Sequence, residues 1–516
     1  MTSSQQQQLF GHPVGLFILF FTEMWERFSY YGMRALMVLF LVSGLDEGGW
    51  AWSREDALKL YAIYTGLVYV TPILGGLLAD KVIGFRNAVL LGAFLMTCGH
   101  VSLALETEFT FYLGLVLLVV GNGAFKPNIS SIVGNLYPKG SDKKDSAYTI
   151  FYMGINAGAF LGILLCGYVG EKTGWNYGFG LAGVFMALGM LQFYFAQDVF
   201  GRIGLSPKQE KLTVVSHGAV EELDEVKEEN IPPHVERDRL LVIGILAFFT
   251  IFFWMAFEQA GGSMTIFAKD YTNRVLIGGA ANAFRWFNAV LTIIPLAIVT
   301  WVLFSLFRKT FGKYAVSNIF LTSSFVIIWG VAFWMLNNEF ASESNEVPAS
   351  WFGILNSFFI IAFAPLFSKL WESKYNPSAT IKFALGLILL GCGFGVLAFG
   401  AAQIPAGSAT ASVSMIWLVL AYLLHTLGEL TLSPVGLSYV SKLAPARLVG
   451  LMFGVWFVAA AIANYLAGWS GSLIDRITEM YSMSTFFLIY TGLPIGAGLA
   501  LMLLTPVIKK KMHGIH

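Results

Sequence analysis

The feature that most constrains this chain is a charged stripe inside an apolar segment long enough to cross a lipid bilayer. The segment 14–42 carries four charged side chains, which are Glu23, Glu26, Arg27 and Arg34. On a helix, Glu23, Arg27 and Arg34 fall within about 60° of one another, with Tyr30 among them. A charge near the bilayer centre costs at least about 2.5–3.5 kcal/mol. The stripe therefore predicts a watery cavity in which a charged species binds or passes.

Composition places the whole chain in the membrane. Of 516 residues, 56% are hydrophobic and only 12% are charged, against about 25% charged in soluble domains. The balance of 32 basic and 31 acidic residues gives no reason to expect a nucleic-acid partner. Cys98, Cys166 and Cys392 all lie in predicted spans, so neither a disulfide framework nor a metal site is expected. No nucleotide loop, metal-ligand spacing or nucleophile motif indicates an enzyme or a cofactor.

Apolar stretches of spanning length predict about fourteen transmembrane helices. They lie near 14–42, 56–79, 87–105, 109–133, 146–169, 177–196, 239–262, 281–307, 315–337, 350–370, 381–403, 412–440, 448–469 and 484–506. The predicted domains are an N-terminal six-helix bundle over 1–196, a cytoplasmic linker over 197–238 and a C-terminal six-helix bundle over 239–516. A helix pair near 281–337 is interpreted as an insertion into the second bundle. The predicted fold class is therefore an all-α integral membrane protein.

Basic residues predict the orientation of these spans. With the N-terminus inside, cytoplasmic segments hold about 21 Lys and Arg residues and the opposite side about 5. Both termini are therefore expected to be cytoplasmic, in a multi-pass protein of the cell inner membrane. The segment before the first span has no Lys or Arg and no cleavage pattern of a secretory signal, so we expect the first helix to be retained.

The loop between spans 2 and 3 gives a first resemblance to a known group of proteins. Its pattern of Gly76, Asp80, Gly84 and Arg86 resembles the cytoplasmic loop signature of the major facilitator superfamily. That resemblance, with six spans, a linker and at least six more, implies two six-helix halves that rock about a central site.

Three further motifs closely resemble the signatures of the proton-dependent oligopeptide transporters. They are Glu23-x-x-Glu26-Arg27-Phe28-x-Tyr30-Tyr31-Gly32, Gly121-Asn-Gly-Ala-Phe-Lys126-Pro127-Asn128 and Phe151-Tyr152-Met-Gly-Ile-Asn156-x-Gly158. The resemblance continues through Trp254 to Gln259, Trp351 to Asn356, Leu427 to Pro434 and Trp456. It implies symport of di- and tripeptides with protons by alternating access. The chain departs from the family pattern in two ways. Its extra helix pair follows the first helix of the second half, whereas many bacterial members carry such a pair between the halves. Span 2 contains no histidine, whereas animal members use one there.

Within this resemblance, residues match family positions of two kinds. Positions linked to proton coupling are Glu23, Glu26 and Arg27; apart from the resemblance, the charge count below makes Glu258 or Glu429 a second possible proton site. Positions that line the peptide cavity are Tyr30, Arg34, Lys126, Asn156, Glu258, Asn356, Glu429, Ser433 and Trp456. We expect Tyr31, Tyr69 and Trp254 to add aromatic lining that tolerates many peptide side chains.

Charge counting gives a physical basis for coupling to protons. If all seven membrane charges share one cavity, four carboxylates face three cations, and one carboxylate lacks a partner. An unpaired, partly desolvated carboxylate favours its protonated form, but the count does not assign the proton to one residue. We expect Arg34 and Lys126 to bind a peptide carboxylate. Glu258, with the amides of Asn156 and Asn356, would bind its ammonium.

A coupling hypothesis links the two halves. Lys126 and Glu429 would pair in the empty protein, and a substrate carboxylate would compete for Lys126 and leave Glu429 to take a proton. The main alternative for the stripe is a structural ion network. Alternative functions are a proton-coupled carrier of another small anion or drug such as nitrate, and a peptide-sensing receptor that signals through the linker. The expected partners are peptides, protons and the lipid bilayer, for a protein that works as a monomer.

Overall fold

The computed structural model describes residues 7–138, 141, 143–209 and 232–515. Fourteen of the described helices are at least 19 residues long. They are α1 (Val14–Val42), α2 (Arg54–Leu78), α3 (Phe85–Ala104), α4 (Glu108–Asn135), α5 (Lys143–Lys172), α6 (Trp175–Ala196), α7 (Pro233–Phe257), α9 (Gly278–Thr310), α10 (Ala315–Ala341), α11 (Ile354–Glu372), α12 (Ala379–Gly400), α13 (Ile416–Leu443), α14 (Val449–Gly471) and α16 (Met483–Lys511). Two short helices are α8 (Ser263–Asp270) and α15 (Ile474–Met480).

Thirteen of these helices are long and apolar enough to cross a membrane, and α1 matches them in length. At 1.5 Å per residue its 29 residues span roughly 44 Å. The prediction of an all-α membrane protein with about fourteen spans is confirmed. Part of the predicted linker, 210–231 with the acidic run 221–229, lies outside the described residues.

The described helices form two compact units. The first unit comprises the described residues within 1–40, 71–220 and 275–351. Here α3 packs on α4 and α6, and α5 packs on α6. Small residues allow such close packing, as they commonly do between membrane helices.

A ridge of glycines on α5 brings this helix against the backbone of α1. Three glycines one turn apart have no room for a side chain. They are Gly154, Gly158 and Gly162, opposite Phe20, Met24 and Phe28. A Cβ atom added at Gly158 would lie 2.9 Å from the Cβ of Arg27. The glycines of α5 therefore let this helix pack directly against the backbone of α1 beside the charged stripe.

The loop signature between α2 and α3 fixes the polypeptide that follows α6. Arg86 donates from Nε to the carbonyl of Ile203 at 2.6 Å and from Nη2 to that of Gly201 at 2.5 Å. Gly84 has φ +78° and touches the backbone of Leu205, where a Cβ atom would clash. Gly84 and Arg86 of the motif therefore both hold the segment 201–205 against the start of α3.

The second unit comprises the described residues within 41–70, 221–274 and 352–516. In it α12 packs on α13 and α16, α14 packs on α7, and α11 packs on α13. The first half of α2 belongs here, because Gly66 lies against Tyr465 and Gly468 lies against Ala62.

A half-buried arginine joins three segments of the second unit at the start of α2. Arg54 forms ion pairs with Asp270 at 2.7 Å and Asp475 at 2.8 Å. It also donates to the hydroxyl of Tyr271 and the carbonyl of Ala409, each at 2.9 Å. Its side chain is 17% exposed, so the pairs are partly protected from water.

The inserted pair, α9 and α10, packs on the first unit, chiefly through α10 against α6. At the end of α5, the carboxylate of Glu171 accepts hydrogen bonds from the backbone N–H groups of Ala349 (2.8 Å) and Ser350 (2.9 Å). The indole of Trp351 donates to the carbonyl of Leu164 at 2.9 Å. The pair therefore lies in the second half of the sequence but is anchored to helices of the first.

Six two-residue strands complete the part of the fold that the structure describes. They are β1 (Gln8–Leu9), β2 (His12–Pro13), β3 (Thr272–Asn273), β4 (Val275–Leu276), β5 (Asn345–Glu346) and β6 (Val413–Ser414). The pairs β1–β2 and β4–β5 are antiparallel and β3–β6 is parallel. In the β4–β5 pair Val275 lies opposite Glu346, which closes the chain around the inserted helices.

Candidate functional site

The charged residues of α1 form a buried cluster in the first unit. Arg27 donates from Nη2 to Oε1 of Glu26 at 2.8 Å and from Nε to Oε2 of the same carboxylate. Its Nε also lies 3.1 Å from Oε1 of Glu23. All three side chains are at most 4% exposed. One guanidinium therefore serves two carboxylates, and the trio carries a net negative charge when all three are ionised.

The two carboxylates are held unequally. Glu26 also accepts from the amide of Asn122 at 3.1 Å, so it receives three donated hydrogen bonds. Glu23 has one ion pair among the described residues, to Arg27, and its buried Oε2 accepts no hydrogen bond from them. An oxygen left this way in the interior costs free energy. Of the two carboxylates, Glu23 therefore has the weaker hydrogen-bond support.

Glycines on both sides of Asn122 set the face that α4 turns to α1. Gly121 touches the backbone of α3 at Gly92, and Gly123 touches Thr71 of α2. Asn122 lies between these contacts and reaches Glu26. Lys126, one turn further on the same face of α4, is half-buried and interacts electrostatically with Glu23. The helix therefore presents an amide and an ammonium to the same charged cluster.

Tyrosines continue the stripe along α1. The guanidinium of Arg27 lies 5.3 Å from the ring centre of Tyr30 and 6.0 Å from that of Tyr31, within the range of cation–π attraction. Arg34 is half-buried one turn further along. Asn156 on α5 is also half-buried, and its amide donates to the carbonyl of Tyr152 at 2.9 Å.

The second unit has its own polar group, centred on Glu429 of α13. The amide of Asn356 on α11 donates to Oε2 of Glu429 at 2.8 Å and to the hydroxyl of Thr426 at 3.2 Å. Close contact between Gly428 and Gly386 packs α13 on α12 and orients this face. Glu429 forms no ion pair with any residue that the structure describes. A half-buried carboxylate is thus supported by a neutral amide.

Glu258 lies where the seventh span changes its backbone. The α-helix ends at Phe257, a 3₁₀ turn runs over Glu258–Gly261, and α8 follows. Glu258 is 6% exposed, and the neighbouring Gln259 donates to the carbonyl of Ala467 at 2.7 Å. Interrupted membrane helices frequently mark binding sites, which suits a buried carboxylate at this position.

The remaining predicted residues of the second unit lie on its helix faces. Trp456 packs on Gly436, where a side chain would overlap its indole. Ser433, one turn beyond Glu429, has a buried hydroxyl without a hydrogen-bond partner among the described residues. Trp254 and Tyr69 are half-buried.

Each unit therefore brings some predicted residues together. Glu23, Glu26, Arg27 and Tyr30 are in contact in the first unit, and Asn356 and Glu429 are bonded in the second. The expectation that all seven charges share one cavity stays a prediction. Sequence reasoning missed Asn122 and Thr426 as site residues. Helical spacing could have found both, because each lies three or four positions from a predicted residue, Lys126 and Glu429 respectively.

Among the described residues, thirteen helices are long and apolar enough to cross a membrane. Buried ionisable groups within helices of this length, such as Glu23 and Arg27 in α1, are typical of integral membrane transport proteins. The family model described as the POT family matches residues 86–220 and 322–488 of the chain, which is more than half of it. The chain belongs to the POT family, and it is a multi-pass membrane transporter. The resemblance that the motifs carry is confirmed.

Individual relatives match along nearly the whole length. An uncharacterised transporter of Bacillus subtilis is 36% identical, over 99% of this chain and 98% of the relative. A peptide transporter of Yersinia enterocolitica is 32% identical, over 96% and 95%. The crystal structure of a peptide transporter in complex with sulfate is 30% identical, with a TM-score of 0.75 and 100% of both chains covered.

Proposed function

We propose that this transporter is a symporter that imports di- and tripeptides together with protons by alternating access. Relatives named peptide transporter and di-/tripeptide transporter support the substrate class. A further POT family structure, 26% identical with a TM-score of 0.75, is in complex with 5-aminolevulinic acid, which like a peptide carries both an amino group and a carboxyl group. The observation that carries the coupling is the buried trio in which two carboxylates share Arg27.

Glu23 is the proton carrier of the first unit in this proposal. Glu26 accepts three donated hydrogen bonds, whereas Glu23 has one ion-pair contact and one oxygen without a hydrogen-bond partner among the described residues. Protonation of Glu23 leaves a neutral Glu26–Arg27 pair. The protonated state therefore buries no net charge in the trio, which favours rearrangement of the surrounding helices.

Glu429 is proposed as a second proton-linked group. Its one described partner is the neutral amide of Asn356, so no cation holds it ionised within the residues described. Lys126 would engage the substrate carboxylate, in line with the hypothesis that substrate binding changes the state of Glu429. Asn356 can support Glu429 in either state, because an amide offers both a donor and an acceptor.

Recognition of the substrate rests on its two charged ends. Arg34 offers a carboxylate a planar fork of donors, and Lys126 offers a point charge. The buried carboxylate of Glu258, with Asn156 and Asn356, suits an ammonium. Tyr30, Tyr69, Trp254, Ser433 and Trp456 are proposed to line the remaining space. Specificity for length then comes from the spacing of the ends, and tolerance of side chains comes from the aromatic walls.

The test is uptake of radiolabelled dialanine into liposomes that contain the purified protein. An inward proton gradient should drive accumulation, and a protonophore should abolish it. Glu23→Gln should lose accumulation but retain exchange of labelled for unlabelled dialanine, because binding is kept and proton release is removed. Glu55→Gln is the matched control, since Glu55 is exposed and pairs with Lys59 on the surface. Full accumulation by Glu23→Gln would overturn the assignment.

Two further measurements test the roles in recognition. Amidating the carboxyl end of dialanine should weaken competition by about 10- to 150-fold, since charge-assisted hydrogen bonds contribute about 1.5–3 kcal/mol. Glu429→Gln should lose proton-driven uptake, and intact uptake would contradict the coupling scheme. Dialanine uptake that is unaffected by Glu258→Gln would favour a carrier of another anion, such as nitrate. Accumulation by the purified protein argues against a pure receptor.

The placement in the membrane is proposed on charge and helix count. An even number of spans places both ends on one side, and the positive-inside rule makes that side cytoplasmic. A membrane-impermeant maleimide should then label Ser344→Cys but not Gly312→Cys in intact cells. We also propose two bundles, 1–196 and 239–516, joined by the linker 197–238, and a monomer without enzymatic activity.

A further inference from the structure

An apolar groove runs along the surface of the first unit where the inserted pair meets the bundle. Its volume is about 490 Å³, and it is lined by the end of α5, the start of α6 and the second half of α10. Leu181 and Val184 of α6 form one wall, and Val331 and Trp334 of α10 form the other. The groove is not part of the charged clusters described above.

Two glycines, one from each wall, keep this groove open. A Cβ atom added at Gly330 would meet nothing within 4 Å, and one added at Gly180 would meet only the Cβ of Ala104 at 3.9 Å. They differ from Gly158, whose missing side chain lets two backbones touch. Glycine inside a helix is destabilising relative to alanine, and neither position needs it for packing. Their effect is to leave space along the groove.

The polarity of the groove changes along its length. Thr173, Asn176 and Tyr177 lie at the junction of α5 and α6, and the apolar residues begin one turn further into α6. From Asn176 to Val184 the helix rises roughly 12 Å. A ligand that fits has a hydrogen-bonding end at the junction and an apolar tail toward the middle of the span. An apolar groove inside a bilayer is a poor site for water.

We propose that this groove binds one phospholipid, with an acyl chain lying over Gly180 and Gly330 between α6 and α10. The hydroxyl and amide groups of Thr173, Asn176 and Tyr177 donate to the ester and phosphate oxygens. The occupant is a phospholipid because a membrane transporter is always surrounded by such amphiphiles, and their polarity matches that of the groove. The bound chain fills the gap beside the main contact of the inserted pair, so it strengthens that attachment.

The test uses purified protein in nanodiscs that contain a phosphatidylethanolamine with a photoactivatable diazirine on one acyl chain. Cross-linked peptides are mapped by mass spectrometry. We expect labelling of the segments 177–184 and 330–334 at least fivefold above other lipid-facing segments. Gly330→Leu should reduce this labelling to the background, because a Cβ atom at this position meets nothing within 4 Å and the leucine side chain would occupy the groove. Gly496→Leu is the matched control, since it also has nothing within 4 Å but lies on α16.

A second variant and a second readout protect the test against misfolding. Gly180→Leu fills the groove from the opposite wall and should have the same effect. Adding phosphatidylethanolamine to delipidated protein in detergent should raise the apparent Tm of the wild type and of Gly496→Leu, but not of the filled variants. Equal labelling of all exposed helices, unchanged by filling, would overturn the proposal. So would disulfide cross-linking between copies of Val331→Cys that excludes the lipid probe, because the occupant would then be a second chain.

Discussion

Replacing Gly158 by alanine is the sharpest test of how the charged stripe is held. The added Cβ would contact the carbonyl oxygen of Met24 and lie 2.9 Å from the Cβ of Arg27. The carbonyl belongs to the backbone of α1 and cannot rotate away. Helices α1 and α5 must therefore separate by several tenths of an ångström to accept one methyl group.

The expected cost follows from this geometry. Insertion of a methyl group into a closely packed interior typically costs about 1–3 kcal/mol. A gap of about 0.5–1 Å also forfeits a quarter to a half of each dispersion contact along the glycine ridge. Because Arg27 lies at the point of contact, its bonds to Glu23 and Glu26 are disturbed as well. Gly158→Ala should therefore lower both stability and transport.

Thermal unfolding in detergent, followed by tryptophan fluorescence, measures the effect on stability. We expect Gly158→Ala to unfold at least a few degrees below the wild type. Gly492→Ala provides the matched control, because a Cβ atom there meets nothing within 4 Å. In that open helical position alanine should be neutral or stabilising by up to about 1 kcal/mol. If both variants lost equal stability, or if Gly158→Ala lost none, close packing would not be what holds α1.

Three further changes test other contacts. Arg54→Gln should lower the stability by about 1–3 kcal/mol, measured by thermal unfolding, because two carboxylates lose their cation. Glu171→Gln should speed protease cleavage within 342–348, since a backbone N–H loses its acceptor. Partial burial alone would raise the pKa of Glu47, but the hydrogen bond from Lys269 holds this pKa below its usual value. The pair contributes at most about 1 kcal/mol to stability, present above the unfolded-state pKa of Glu47 and lost as the pH falls through its folded-state pKa. Glu47→Gln should therefore be less stable than the wild type near neutral pH and equally stable in acid, as measured by thermal unfolding across the pH range.

Each of these predictions has an internal check. In the Arg54→Gln background, Asp475→Asn should cost less than in the wild type, because the two residues are coupled; equal costs would argue against the ion pair. Lys172→Gln breaks the exposed pair with Glu346 and should leave proteolysis nearly unchanged. A difference between Glu47→Gln and the wild type that grows as the pH falls would contradict the assigned sign.

Hydropathy and motif spacing predict the helices because lipid imposes a single requirement on each span. A helix such as α12 satisfies its backbone internally and needs only apolar side chains, so its bounds follow from composition. The helices that a given helix contacts are harder to predict from the sequence. The attachment of α10 to α6 depends on surface shape and on the capture of the Ser350 backbone by Glu171, neither of which has a periodic signal.

In the candidate site, too, the arrangement within one helix is predictable from the sequence, whereas contacts between helices are not. Helical periodicity on α1 is sufficient to group Glu23 with Arg27, because both lie on one element with fixed geometry. The unequal support of the two carboxylates could not be predicted, since it depends on how Gly121 and Gly123 rotate α4 to aim Asn122. The bond between Asn356 and Glu429 likewise joins residues 73 positions apart in the sequence.

Neither compact unit is continuous along the polypeptide, and this has a consequence for biogenesis. The first unit takes in residues 275–351, and the second takes in 41–70. The ribosome must therefore complete α10, which ends at Ala341, before α6 can acquire this neighbour. Until then the surface of α6 that α10 later covers faces lipid. Cutting the gene at the linker would place 275–351 on a different fragment from the rest of the first unit, and 41–70 on a different fragment from the rest of the second. Each fragment would then have to supply one segment to the other before both units could fold.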